Sequence, residues 1–338
     1  MQFSTKSWAR PARLAYSFSI LALTASLAAC GGGTATVDGE TAADAGSGVT
    51  GDIQIDGSST VYPISEAMAE EFQATNSATR VTVGVSGSGG GFKKFCAGET
   101  DISNASRQIK DGEIADCEAA GVEFIEVPIA YDGITLVVNP ANDWAQCVTI
   151  DQLNTAWAPD SEGTITTWDQ VDPSFPAEPL DLFGPGTDSG TFDYFTDEVN
   201  GEEGASRGDY TATEDDNVIV KGVTGAKSAM GYFGYAYYEE NQDGLKALEV
   251  TNEEGECIAP SSETIADGTY NPMSRPLFFY VNKEAYETKP QVAAFVDYQL
   301  DPANGELVKD AGYIALPDSD LAESKARIDE GKLGKDPS

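Results

Sequence analysis

The chain has 338 residues, enough for about two domains at roughly 150 residues each, and its 41% hydrophobic content supports real cores, so a disordered chain is excluded. Against 56 acidic residues stand 20 basic ones, a net charge of −36 whose field repels nucleic acid, so no nucleic-acid partner is expected. There is no histidine, which removes the commonest general base and the commonest zinc ligand and leaves most hydrolase mechanisms hard to staff; taken with the features below, a non-enzyme with no metal or other cofactor is expected.

Lys6, Arg10 and Arg13 precede an apolar run from Leu14 to Ala29, the order of a secretory signal rather than of a spanning helix. The run ends in Leu27-Ala28-Ala29-Cys30 and three glycines, similar to a bacterial lipobox in which Cys30 is lipidated and anchors the chain to a membrane. A plain signal peptide with a chance cysteine is the alternative. Residues 30–52 are small and acidic with almost no large apolar side chain, so they read as a flexible tether with a reach of about 25 Å.

Beyond the tether, short β-rich runs alternate with helical periodicity. A strand is expected at Ile53–Asp56, then a helix at Ile64–Phe72 with Ile64, Met68 and Phe72 four apart, then a strand at Val81–Val85. A helix opens near Gly91, followed by a strand at Asp101–Ala105, a helix at Lys110–Ala120, and strands at Glu123–Val127 and Ile134–Asn139. Thr149-x-x-Gln152 fits a capping box for a helix to Trp157, and a strand at Leu180–Phe183 runs into a Gly/Ser/Thr loop. An apolar strand at Leu277–Val281 and a helix at Gln291–Leu300 return the chain to the first lobe, and the polar tail from Asp318 reads as a surface helix. The fold class is α/β, with lobe 1 at 53–138 and 280–338 and lobe 2 at 139–279. No short repeat suggests a solenoid or propeller.

Setting Cys30 aside leaves Cys96, Cys117, Cys147 and Cys257, an even number in an exported chain, hence two disulfides. Of three pairings, Cys96 with Cys117 and Cys147 with Cys257 is favoured because each pair then lies within one lobe. A four-cysteine metal site is the rival, weakened by the lack of any C-x-x-C spacing.

Three loops share one position, after a strand and before a helix: Gly57-Ser58-Ser59-Thr60-Val61, Ser86-Gly87-Ser88-Gly89-Gly90-Gly91 and Thr187-Asp188-Ser189-Gly190-Thr191. A helix N-terminus offers unpaired N–H groups and a positive dipole end, glycine allows close approach, and hydroxyls add donors, so such a site suits an anion. One loop alone is more often an N-cap and turn; three are harder to dismiss. Arg107, just past a strand, could pair an oxyanion. Asp132, in Tyr131-Asp132-Gly133, could accept a proton from a protonated anion, or be only a turn residue.

These residues resemble the PstS family, the phosphate receptors of high-affinity phosphate ABC transporters. The resemblance rests on Asp56 to Pro63, Gly87 to Gly91, Asp101 to Arg107, Gly186 to Thr191 and Gly225 to Tyr235. It implies a two-lobed periplasmic-binding-protein fold of type II-like form, each lobe a mixed sheet flanked by helices. Phosphate would be clamped in the interlobe cleft and passed to ABC permease subunits by a monomeric receptor. Carried over by position, it implies phosphate contacts from Ser59, Thr60, Val61 through its backbone, Ser88, Ser189, Gly190 and Thr191. Two departures stand out: Pro185 lies near an expected arginine, whose role passes to Arg107, and Ser106 occupies the place of an expected aspartate, whose role as proton acceptor passes to Asp132.

A pepsin-like protease is suggested by Asp188-Ser189-Gly190-Thr191, but no second D-[ST]-G exists. A P-loop at Gly222–Ser228 fails because Ala226 stands where glycine is required. A surface adhesin, a receptor for sulfate, molybdate or a phosphonate, and a phosphate sensor without its own permease remain as alternatives.

Overall fold

The computed structural model describes residues 48–335; Cys30, the signal segment and most of the tether lie outside them. Strand β1 (Gly51–Gly57) starts inside the segment expected to be tether. It pairs in parallel with β2 (Thr79–Val85) and β3 (Ile102–Ala105), with α1 (Tyr62–Thr75) and α2 (Gly87–Cys96) as crossovers. The expected four-residue spacing holds, since Ile64, Met68 and Phe72 are all buried on one face of α1.

Helix α2 begins earlier than expected, so its glycines lie inside the helix rather than before it. A Cβ on Gly91 would sit 2.5 Å from the Gly57 Cα, and this close approach of helix to strand outweighs the entropic cost of helical glycine.

After α3 (Asp111–Ala120), strand β4 runs unbroken from Phe124 to Val138. The sequence suggested two strands separated at Pro128 and Asp132-Gly133. Instead the chain stays extended, with one extra residue accommodated between Pro128 and Ala130 opposite Leu277 and Phe278, as a β-bulge does. Nearly all of β4 is buried, which explains its continuous apolar run.

The second lobe contains α4 (Ile150–Trp157), β5 (Asp181–Gly184), α5 (Gly190–Asn200), α6 (Asp216–Gly225) and β6 (Ala229–Gly234). The Thr149–Gln152 capping box forms in both directions, at 2.9 and 3.1 Å. Strand β7 (Ser274–Asn282) then returns antiparallel to β4 and β3. The sheet order is β2-β1-β3-β7-β4-β6-β5, extended by short strands, so β4 and β7 are the two strands that carry the chain between lobes.

Two cores flank this passage. One gathers Ile53, Phe72, Val127, Phe279 and Phe295; the other gathers Ile134, Trp157, Phe195, Tyr232 and Met273. On β4 Ala130 belongs to the first core and Ile134 to the second, while Met273, just before β7, belongs to the second and Leu277 on β7 to the first. Two further helices, α7 (Pro290–Gln299) and α8 (Asp318–Asp329), pack on the first core; α8 is polar yet buries Leu321 and Ile328, so it is more than a surface helix.

Disulfides join Cys96 to Cys117 and Cys147 to Cys257. The first staples α2 to α3, and the second ties two short strands of a separate three-stranded sheet. No helix among the described residues is long and apolar enough to cross a membrane.

Candidate functional site

A cleft of about 1150 Å³ opens between the lobes, lined among others by Ser59, Ser88, Ser106, Arg107, Asp193 and Arg275. Its first wall comes from the turn between β1 and α1. Gly57 has φ +147° and a Cβ there would fall 2.1 Å from the Asn104 carbonyl oxygen, so only glycine fits. The Ser58 N–H donates to that carbonyl at 3.0 Å, fixing the turn. Val61, the α1 N-cap, carries no side-chain cap and is fully buried, which leaves its contribution to the backbone alone.

The second wall element is the start of α2. Ser86, the N-cap of α2, donates its hydroxyl to the Asp56 carboxylate and makes no cap hydrogen bond to its own helix. The first-turn amides are therefore uncapped donors. The Ser88 hydroxyl lies 3.1 Å from the Ser106 hydroxyl and accepts from the Ser106 N–H at 3.1 Å. The structure thus brings together these two serines, 18 residues apart in sequence, on one face of the cleft.

Arg107 reaches the same wall but is engaged. Its guanidinium makes a two-pronged bond to Glu113 at 2.8 and 2.9 Å and lies 5.4 Å from the Phe92 ring centroid. Burial works to raise the Glu113 carboxyl, yet Arg107 and the Lys110 N–H outweigh it and hold the carboxyl below its ordinary value.

Arg275 takes the central position instead. It stands directly opposite Asp132 across the β4–β7 pair. Its Nε and Nη2 donate to Asp132 Oδ2 at 3.3 and 3.2 Å, and Nη2 also donates to the Thr60 hydroxyl at 3.0 Å. No acceptor among the described residues takes the hydrogens of Nη1, so two donors remain for a ligand.

Asp132 is thereby relocated. It is 3% exposed and does not line the large cleft; it lines a separate cavity of about 270 Å³ with Thr191, Asp216 and Tyr313. Burial pushes its carboxyl up from the ordinary value while Arg275 and the Gly133 N–H pull the other way. The hydrogen bonds that Asp132 accepts from other side chains among the described residues come from Arg275.

From the second lobe, α5 points its N-terminus at the first. Ser189 caps it, accepting from the Thr191 N–H at 3.2 Å. A Cβ on Gly190 would lie 2.6 Å from Thr60 Oγ1 and 2.8 Å from Thr60 Cα, so the two anion loops touch at this glycine. Ser189, Gly190 and Thr191 do not line the large cleft, whereas Asp193 and Tyr194, a turn further on, do. Asp193 Oδ2 accepts the Ser59 hydroxyl at 3.2 Å across the lobes. Burial raises the Asp193 carboxyl, with Ser59 and Arg275 opposing.

Known proteins place this arrangement. The PBP superfamily domain matches residues 42–303. The phosphate-binding protein PstS of Staphylococcus saprophyticus is 39% identical over 312 residues, 92% of each chain. The chain belongs to the PstS family. Protein SphX of Synechococcus elongatus is 46% identical to it, covering 83% of this chain and 82% of SphX. A solved structure described as a possible phosphate binding protein from Planctomyces limnophilus is 45% identical with a TM-score of 0.81, covering 84% of this chain and all of that one. An ABC-type phosphate transport receptor from Vibrio cholerae, 23% identical with a TM-score of 0.59 and 79% of this chain covered, shares the fold.

Within this PstS-family protein, sequence reasoning missed Arg275, Asp193 and Tyr194. Arg275 had a signal: one of only 20 basic residues, it stands two residues before the apolar strand expected at Leu277–Val281 to bring the chain back. Asp193 had none beyond standing two residues after the Ser-Gly-Thr loop.

Proposed function

We propose that this chain is an extracytoplasmic receptor that captures inorganic phosphate in the interlobe cleft and delivers it to the permease of an ABC transporter. Arg275 carries this reading: a half-satisfied guanidinium at the crossing strands, beside Thr60 and facing a cleft rimmed with serine hydroxyls and uncapped amides. Neutral donors plus one cation suit a small oxyanion held out of bulk water, where each bond gains strength. The relatives named for phosphate binding support the same ligand.

Phosphate would be held by Ser59, Thr60, the Val61 N–H, Ser88 and Ser106 from the first lobe, Arg275 from the paired strands, and the Ser189–Thr191 end of α5 from the second lobe. Arg107 would stand at the rim, paired to Glu113. Asp193 replaces Asp132 as the acceptor for the phosphate proton: it faces the cleft, and Ser59 occupies only its Oδ2. Sulfate, lacking that proton, would meet the carboxylate unpaired and with like charge.

In this reading residues 1–29 are a signal peptide, Cys30 carries the lipid anchor, and the tether holds a monomeric, non-enzymatic receptor near its permease. The net charge of −36 is screened within about 8 to 10 Å, so it does not oppose contact binding by local donors. Calorimetric titration of the chain from Gly31 onward, unfolded and refolded to strip carried ligand, tests the proposal. Tight one-to-one phosphate binding with sulfate silent is expected; a folded protein silent to phosphate would redirect the search to sulfate, molybdate or phosphonates.

A further inference from the structure

Tyr194 lines the cleft but is not among the anion donors. It lies on α5, four residues past Gly190, with its ring centroid 3.6 Å from the Arg275 guanidinium carbon. The side chain is buried, and its hydroxyl donates to the Pro272 carbonyl at 2.6 Å, just upstream of Arg275 on the chain. Burial raises the phenol well above its ordinary value, with Arg275 opposing, so the ring stays neutral and its hydroxyl stays a donor.

The guanidinium is a plane with edges for hydrogen bonds and faces for rings. Asp132 grips one edge, at 3.2 and 3.3 Å, longer than charge-assisted bonds usually run. Those bonds leave the tilt of the plane open, and a face contact closes it. Tyr194 supplies that contact from the second lobe, whereas Thr60 meets the edge from the first.

We propose that Tyr194 is the positioning residue for Arg275: its ring sets the guanidinium plane so that Nη1 presents its free hydrogens to the anion and Nη2 meets Thr60. It also ties the cation to the lobe that carries Ser189–Thr191, so that cation and helix N-terminus reach the first-lobe donors together. This rests on the reading of Arg275 as the cation for phosphate.

The test is a double-mutant cycle read by phosphate titration, with thermal melts alongside. Tyr194→Leu is expected to weaken phosphate by about tenfold or more, the scale of a desolvated cation–π contact. Tyr194→Phe, which keeps the ring, should stay within about threefold of wild type. In an Arg275→Gln background, Tyr194→Leu should cost nothing further. Equal losses in both backgrounds, or no loss in either, would overturn the proposal. Should Tyr194→Leu fail to fold, Phe and its mono-, di- and trifluoro analogues at 194 keep shape while draining the ring face of negative potential. Affinity should then fall stepwise with fluorination, and a flat series would overturn the proposal as well. A wild-type chain silent to phosphate would instead remove the functional reading on which this one stands.

Discussion

Arg275 and Asp132 face each other across the two strands that carry the chain between lobes, bonded at 3.2 and 3.3 Å, with the same guanidinium reaching Thr60 at 3.0 Å. One ion pair thus anchors a cation on the paired strands while leaving its Nη1 without an acceptor among the described residues.

Replacing Arg275 by Gln should weaken phosphate binding by about a hundredfold while leaving it measurable at higher protein concentration, since it removes the charge-assisted donors. It should also destabilise the fold by about 3 kcal/mol, because Asp132 is left buried without its partner. Adding Asp132→Asn should recover most of the stability and none of the binding. Urea midpoints and titrations on the two variants would check both halves.

Asp193→Asn separates discrimination from capture. The amide can donate to a fully deprotonated oxyanion, so sulfate binding should appear and the phosphate-to-sulfate preference should shrink by about a hundredfold or more. Parallel titrations of the variant with both anions decide it; an unchanged preference would return the acceptor role to another group.

Gly190→Ala should cost phosphate affinity about tenfold or more with little change in thermal stability. The new methyl would meet Thr60 at 2.6 to 2.8 Å and prop the lobes apart, while alanine is otherwise favourable at a helix start. Small-angle scattering with phosphate present should show the variant more open than wild type.

Asp216 gives the stability a pH dependence. Burial, then Asp215 and Glu214, push its carboxyl up to about 6. A carboxyl raised on folding binds its proton more tightly in the native state, so its contribution to stability is greatest at low pH and is lost as pH rises from about 4 to about 6. Asp216→Asn should therefore be more stable than wild type by roughly 1 to 2 kcal/mol at pH 7, after allowance for solvent, with the gap closing near pH 4. Urea midpoints at pH 4, 5, 6 and 7 measure it.

Local signals in the sequence determined the α/β class, the face of α1, the capping box at Thr149 and the three Gly/Ser/Thr loops, because periodicity and helix starts depend on neighbours within a few residues. The even number of cysteines and their placement within lobes favoured, among three pairings, the one the structure forms, although Cys147 and Cys257 stand 110 residues apart. Tertiary structure alone decided which cation lines the cleft with donors left over among the described residues. Arg107 looked suitable by position, but Glu113, six residues on, claims it, while Arg275 is brought to Asp132 from 143 residues away by antiparallel pairing of two strands. The same pairing keeps Pro128 and Asp132-Gly133 extended where their sequence reads as a turn, since the burial of β4 and its hydrogen bonds to β7 outweigh a local turn preference. Asp193 became a cleft residue only because α5 meets the first lobe at Gly190, a contact between loops more than a hundred residues apart that no periodicity encodes.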